Sequence, residues 1–261
     1  MGMHQGDGSV WEFFLAVLFI VAVVSYIQAA MISGRKYSKW PLYRVFLWIS
    51  AISLITVAML GPVDFQLHKT FTAHMGIHLL IGMLAPLLMV LSAPMTLLFR
   101  ALPVSAARRV GKLLKSPVLQ LASHPAIAGL LNIGGMFVLY MTDLYSLMHE
   151  NFLFYAFIHF HLFIAGYLFT AALLCIDPVP HRVSYPYRTA VLVMSLAAHG
   201  ILSKLIYAFP PEGVPRTDTE SAGMLMYYGG DAIDAILIFI LCWKWYHSVR
   251  HRQLVQGSGF K

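Results

Sequence analysis

Charge is scarce in this chain: Asp, Glu, Lys and Arg together supply 11% of its 261 residues, whereas 59% are hydrophobic. Soluble domains carry about 25% charged residues, so this composition, with a mean hydropathy of +0.72, excludes an ordinary water-soluble globule. Cysteine is scarcer still. Cys175 and Cys242 are far apart and form no CxxC pair, which leaves thioredoxin-like copper or disulfide chemistry without support; both read as small apolar packing residues. The chain has no CxxCH, no recognisable nucleotide, redox or hydrolytic motif, no internal repeat and no low-complexity tract. MGMHQGDGSVWEFF contains no Lys or Arg ahead of the first apolar run and no small-residue cleavage site, which disfavours a cleaved signal peptide.

What is present is a series of apolar runs near or above the ~20 residues that a helix needs to cross a bilayer core. They predict an all-α bundle of seven transmembrane helices over Val10–Ile32, Leu42–Leu60, Ala73–Leu98, Ala126–Leu147, Phe152–Ile176, Tyr187–Phe209 and Met224–Tyr246. Nearly the whole chain is used by these spans, so a single transmembrane domain over residues 1–261 is expected, with 1–9 outside and 248–261 as a solvent-exposed cytoplasmic tail. The formal charge of +7 could suggest nucleic acid, but the basic residues alternate by loop. Arg35, Lys36 and Lys39 follow the first span, Arg100, Arg108, Arg109, Lys112 and Lys115 the third, Arg182 and Arg188 the fifth, and Arg250 and Arg252 the seventh; Asp7, Asp64, Asp143, Glu150, Glu212, Asp218 and Glu220 occupy the other side. The positive-inside rule then puts the N-terminus outside and the C-terminus in the cytoplasm.

Ionisable groups inside a bilayer cost about 2.5 to 3.5 kcal/mol or more each, so several at one depth point to a functional site. At ~100° per residue, His74, Met75 and His78 share an arc of about 100° on the third helix, and Gly82, Ala85 and Met89 continue that stripe. HMxxH thus aims two imidazoles and a thioether at one point, a soft or borderline metal site. Pro86 and Pro94 are expected to bend the helix. On the fifth helix His159 and His161 project about 160° apart, so only one faces inward; His159, on the face of Tyr155, Gly166 and Thr170, is that one, while His161 stacks with Phe154, Phe157 and Leu168. Ser195, His199 and Ser203 form a polar stripe on the sixth helix, and Tyr227, Asp231 and Asp234 one on the seventh. His161, His199, Asp231 and Asp234 also read as helix-to-helix hydrogen-bonding groups. His124, His149, His181, His247 and His251 read as loop or interface residues.

AHMGIHLLIGMLAPLLMVLSAPMTLLFRALP, HPAIAG, HLFIAGYLF leading into DPVPHR, and AGMLMYYGGD resemble the cytochrome c oxidase (caa-type) assembly factor family, the CtaG proteins of Bacillus-like bacteria. The likeness runs from Phe71 through Tyr246. It implies a multi-pass cell-membrane protein, not an enzyme, needed for active haem-copper oxidase and concerned with supplying or inserting copper; its partners would be oxidase subunits or other assembly factors. His74, Met75 and His78 match the family's HMxxH, His159 matches the histidine seven positions before Gly166, and Met226 matches a methionine at the start of the last helix. The expected reading is copper, most simply Cu(I), at an outward-facing site of His74, Met75, His78 and His159, with His161, His199, Asp231, Asp234 and Met226 as supporting or alternative groups. Two other readings stay open: a haem held between His78 and His159 or His199, and a proton or ion pathway through Asp231, Asp234 and Lys204.

Overall fold

The computed structural model describes the backbone of residues 5–60, 70–178, 183–211 and 213–258, and within these the side chains of 13–59, 70–148, 150–151, 153–178, 183–211 and 213–250. Every regular element among the described residues is helical. Six helices are long and apolar enough to cross a membrane: α1 (Gln5–Lys36), α2 (Leu42–Leu60), α3 (Phe71–Leu91), α9 (Phe152–Leu174), α10 (Tyr185–Ala208) and α11 (Arg216–Ser258). A further apolar helix, α7 (Pro125–Met141), is shorter, about 25 Å at ~1.5 Å per residue. Short helices α4 (Pro94–Ala101), α5 (Val104–Leu114) and α6 (Pro117–Ala122) link α3 to α7, and α8 (Leu144–Glu150) links α7 to α9.

At the centre stands α3, packed against α2, α9 and α11, while α1 touches α2 and α4 at the rim. In its most apolar stretch α3 is 67% buried and α1 only 11%, so α1 carries the apolar surface of a membrane span with little of it packed against the rest of the chain. The helices run between two ends of the bundle. Tyr140, near the C-terminus of α7, meets His74 near the start of α3. At the other end of α7, His124 lies edge-on to Tyr187 at the start of α10, ring centroids 5.6 Å apart.

Each end is fastened by a carboxylate. At the histidine end, Asp218 of α11 accepts from the backbone of Phe71 (2.5 Å) and Thr72 (3.0 Å) and from the Thr72 hydroxyl (2.5 Å), so it caps α3. At the far end Asp177 caps α4 in the same manner, accepting from Met95, Thr96 and the Thr96 hydroxyl. The exposed N–H groups of a helix start carry partial positive charge, which both carboxylates complement. Cations serve the C-terminus of α9: Arg188 donates to the Leu173 carbonyl at 2.8 Å and Lys244 to that of Leu174 at 2.6 Å.

Several predicted boundaries are corrected. The third span does not continue to Leu98: Ala93, disfavoured in the helical region by the following Pro94, takes φ 54, ending α3 and starting α4. The fourth span, drawn to Leu147, breaks after Met141; the Thr142 hydroxyl donates back to the Val138 carbonyl and accepts from Leu144 N, a local alternative to the helix. Ser184 caps α10 and Pro186 sits in its first turn, so that helix starts at Tyr185 instead of Tyr187. α1 extends beyond Val10–Ile32 at both ends, and α11 begins at Arg216 and runs to Ser258, through most of the segment 248–261 that the sequence predicts as a tail. Polar turns carry no apolar period, so hydropathy does not register them. His149, His181 and His251, and with them Asp7, Asp64, Arg182, Glu212 and Arg252 of the charge pattern, lie outside the described side chains.

α3 also contains a wide π-turn at Leu80–Leu84. Pro86 has no N–H to offer the Gly82 carbonyl and its ring crowds that oxygen, so the helix widens just before it. α7 has a second π-turn at Leu130–Gly134. Such turns recur at functional sites.

Candidate metal site

Three buried histidines lie near the place where α3, α7 and α9 converge. His74, His78 and His159 are all buried, and so are Met75 and Met226. The His74 and His159 rings stand perpendicular with centroids 6.0 Å apart, about the separation of two imidazoles that share one ion through ~2 Å metal–nitrogen bonds. His74 Nε2 pairs with the Tyr140 hydroxyl at 3.0 Å. His159 Nδ1 donates to the Tyr155 carbonyl at 2.9 Å, which fixes the tautomer so that Nε2 carries the lone pair. Metal-binding histidines are oriented by this kind of bond. His78, 2% exposed, has no hydrogen-bond partner for either ring nitrogen among the described residues. A buried imidazole left unpaired is costly, and a metal ion is one partner that would satisfy it.

Aromatic rings wall the cluster. Phe71, Tyr140 and Tyr145 surround His74, with centroids at 6.2, 6.0 and 5.3 Å, and Tyr155 leans on His159 at 4.1 Å. Beneath them Met75 lies in an apolar cluster with Met136, Met148 and Met226, so the two methionines singled out from sequence belong to one packed group. Among the described residues no three His, Cys, Asp or Glu side chains stand together closely enough to hold a metal ion; the arrangement offers imidazole pairs with thioethers nearby.

The remaining candidates separate. His161 is half-buried and donates to the Leu131 carbonyl in the π-turn of α7 at 3.2 Å, a bond between helices. His199 is buried, and its ring lies so close to α11 that a Cβ on Gly230 would overlap it and force the ring to move. His199 and His159 both act electrostatically on His78. Asp234 is buried, whereas Asp231 and Lys204 are exposed, Lys204 lying over the Tyr227 ring at 5.4 Å. Cys175 is buried at the left-handed end of α9 and Cys242 is exposed.

A family model described as cytochrome c oxidase caa3 assembly factor matches residues 16–248. The chain belongs to that family. Its relatives include uncharacterised proteins of Mycobacterium bovis and Mycobacterium tuberculosis, each 28% identical over 200 residues, and one of Mycobacterium leprae at 27%. The alignment covers 73% of this chain and 30% of each relative, so the chain spans under a third of their length. No solved structure matches.

Tyr140, Tyr145 and Tyr155 shape the site without having been singled out for it, Tyr155 having served only to mark the inward face of the fifth helix. A tyrosine near a helix end is common enough as an interface residue that no local pattern distinguishes one whose hydroxyl reaches across to a histidine. Asp218 was read as a loop charge, because its partner Thr72 lies 146 positions away.

Proposed function

We propose that this chain is a non-enzymatic membrane factor that binds copper, most simply Cu(I), at His74, His78 and His159, with Met75 as a thioether close by, and passes it to a haem-copper cytochrome c oxidase. The observation that carries this reading is His78, an imidazole with no hydrogen-bond partner, buried beside two oriented histidines in a member of an oxidase assembly family. Imidazole and thioether ligands suit Cu(I), and a site of two or three ligands is compatible with giving the ion up. The copper here is cargo. Its recipients would be oxidase subunits or other assembly factors in the cell membrane.

The reading includes a topology. α7, fourth in chain order, brings the count of spans to seven; it is shorter than the others yet in contact with neighbours at both ends of the bundle. The basic loops then put the histidine end outside, where copper carriers would meet it.

The test is deletion. Oxidase activity should fall and recover in part with excess copper, and oxidase purified from the deletion strain should be assembled but short of copper. An oxidase with full copper and no haem would move the assignment to haem handling. One normal in both would end the assembly reading for this chain.

A further inference from the structure

Below the histidine cluster, toward the middle of the bundle, lies a cavity of about 30 Å³. One water needs roughly 10 to 15 Å³ measured in this way, so there is room for about two. Its polar lining comes from five helices: the Gly82 backbone on α3, Asn132 on α7, Thr170 on α9, Ser195 and His199 on α10, and Asp234 on α11. Asn132, Thr170, His199 and Asp234 are all buried. His199 Nε2 has no hydrogen-bond partner among the described residues.

So many polar groups around so small a space make a dry cavity untenable. A buried water needs two to four polar partners, and six are present. An isolated carboxylate in a low-dielectric interior is costly enough that it takes up a proton or a cation. The site is poor in metal ligands: its titratable groups are Asp234 and His199, and no metal-holding group of three His, Cys, Asp or Glu occurs among the described residues.

We propose that this cavity is a hydrated proton site, in which one proton is shared between Asp234 and His199 through bound water and rests on the Asp234 carboxyl. Two forms share the same proton count: a carboxylic acid beside a neutral imidazole, or a carboxylate beside an imidazolium. Moving between them breaks the N–H bond of His199 and forms an O–H bond on Asp234, with water carrying the proton and nothing released. Among the described residues, the charged or titratable groups around the pair are His78 on α3, which His199 acts on electrostatically, and exposed Asp231, one turn away on α11; α7 and α9 add none to the lining of the cavity. If the copper reading holds, a cation arriving at His78 repels a charge on His199 and fixes the proton on Asp234.

Infrared difference spectroscopy of the full-length protein in lipid nanodiscs, free of metal, tests this. A protonated carboxyl band should be present at neutral pH, shift on exchange into D2O, vanish in Asp234→Asn and persist in Asp231→Asn. His199→Gln should move the band by changing its hydrogen bonding, which serves if the first variant does not fold. The proposal is overturned if no band depends on Asp234, if the band ignores D2O, or if replacing choline with sodium removes it, which would mark a sodium site. Because no copper is added, failure here and failure of the copper reading are separately visible.

Discussion

Gly166→Ala is the most informative single change, because it tests whether the approach of α9 to α3 places the histidines. A Cβ at Gly166 would stand 2.0 Å from the Gly82 carbonyl oxygen, 3.0 Å from its carbon and 3.3 Å from Pro86 Cγ. Carbon–oxygen contacts of the Cα–H···O kind sit at about 3.3 to 3.6 Å, so the helices would have to separate by about 1 Å. The obstruction is backbone, with no rotamer to yield. Overpacking of this sort costs about 1 to 3 kcal/mol, occasionally more. His159 lies seven positions, about two turns, before Gly166 on the same face, so the shift is carried directly into the gap between His159 and His74. We expect a thermal midpoint lowered by roughly 2 to 12 °C, taking ~2 to 4 °C per kcal/mol for a chain of this size, together with weaker copper binding after anaerobic loading. Gly76→Ala is the control on α3, since its Cβ would meet only Leu225 Cδ2 at 3.9 Å. Equal stability and equal copper affinity in wild type, Gly166→Ala and Gly76→Ala would refute the idea that this contact sets the site.

Three other expectations follow from the same geometry. His78→Ala and His159→Ala should each weaken copper binding by more than about tenfold, while His124→Ala and His247→Ala leave the stoichiometry unchanged; equal losses across all four would mean scattered chelation. Asp218→Ala should cost about 1 to 2 kcal/mol, as loss of a helix cap does, read as a lower melting midpoint in detergent, and an unchanged midpoint would show that the cap is not needed. In a cysteine-free background, Ser105→Cys on exposed α5 should escape an impermeant thiol reagent in intact cells; modification there would invert the proposed topology.

The family, the helical class and most of the helices were legible in the sequence, since apolar runs and the HMxxH spacing are local. Helix phase was enough to choose His159 over His161, and the structure buries the first and half-exposes the second. Two kinds of feature were hidden. Polar ends such as the first turns of α11 carry no hydropathy signal, so α11 was read too short at both ends. Long-range partnerships, such as Asp218 with Thr72, Asp177 with Thr96 and Tyr140 with His74, depend on which helices become neighbours. The paired aspartates of the last helix show the same limit: periodicity puts Asp231 and Asp234 on one stripe, yet only Asp234 is buried, because the edge of the packed helix face falls between them.

The wide turn at Leu80–Leu84 holds one residue more than a regular helix would use. The stretch bearing His74 and His78 and the stretch after Ala85 are therefore offset by about 100°, the angle of a single residue. Each stretch can accept substitutions suited to its own neighbours, α7 and α11 above, α2 and α9 below, without the two faces having to agree. Deleting one residue from that turn would restore the regular helical count, with only the bond missing at Pro86, and would swing both histidines about 100° away from Tyr140 and His159. What aims these imidazoles is a residue count, and an alignment that closes a one-residue gap in this turn would equate positions that look in different directions.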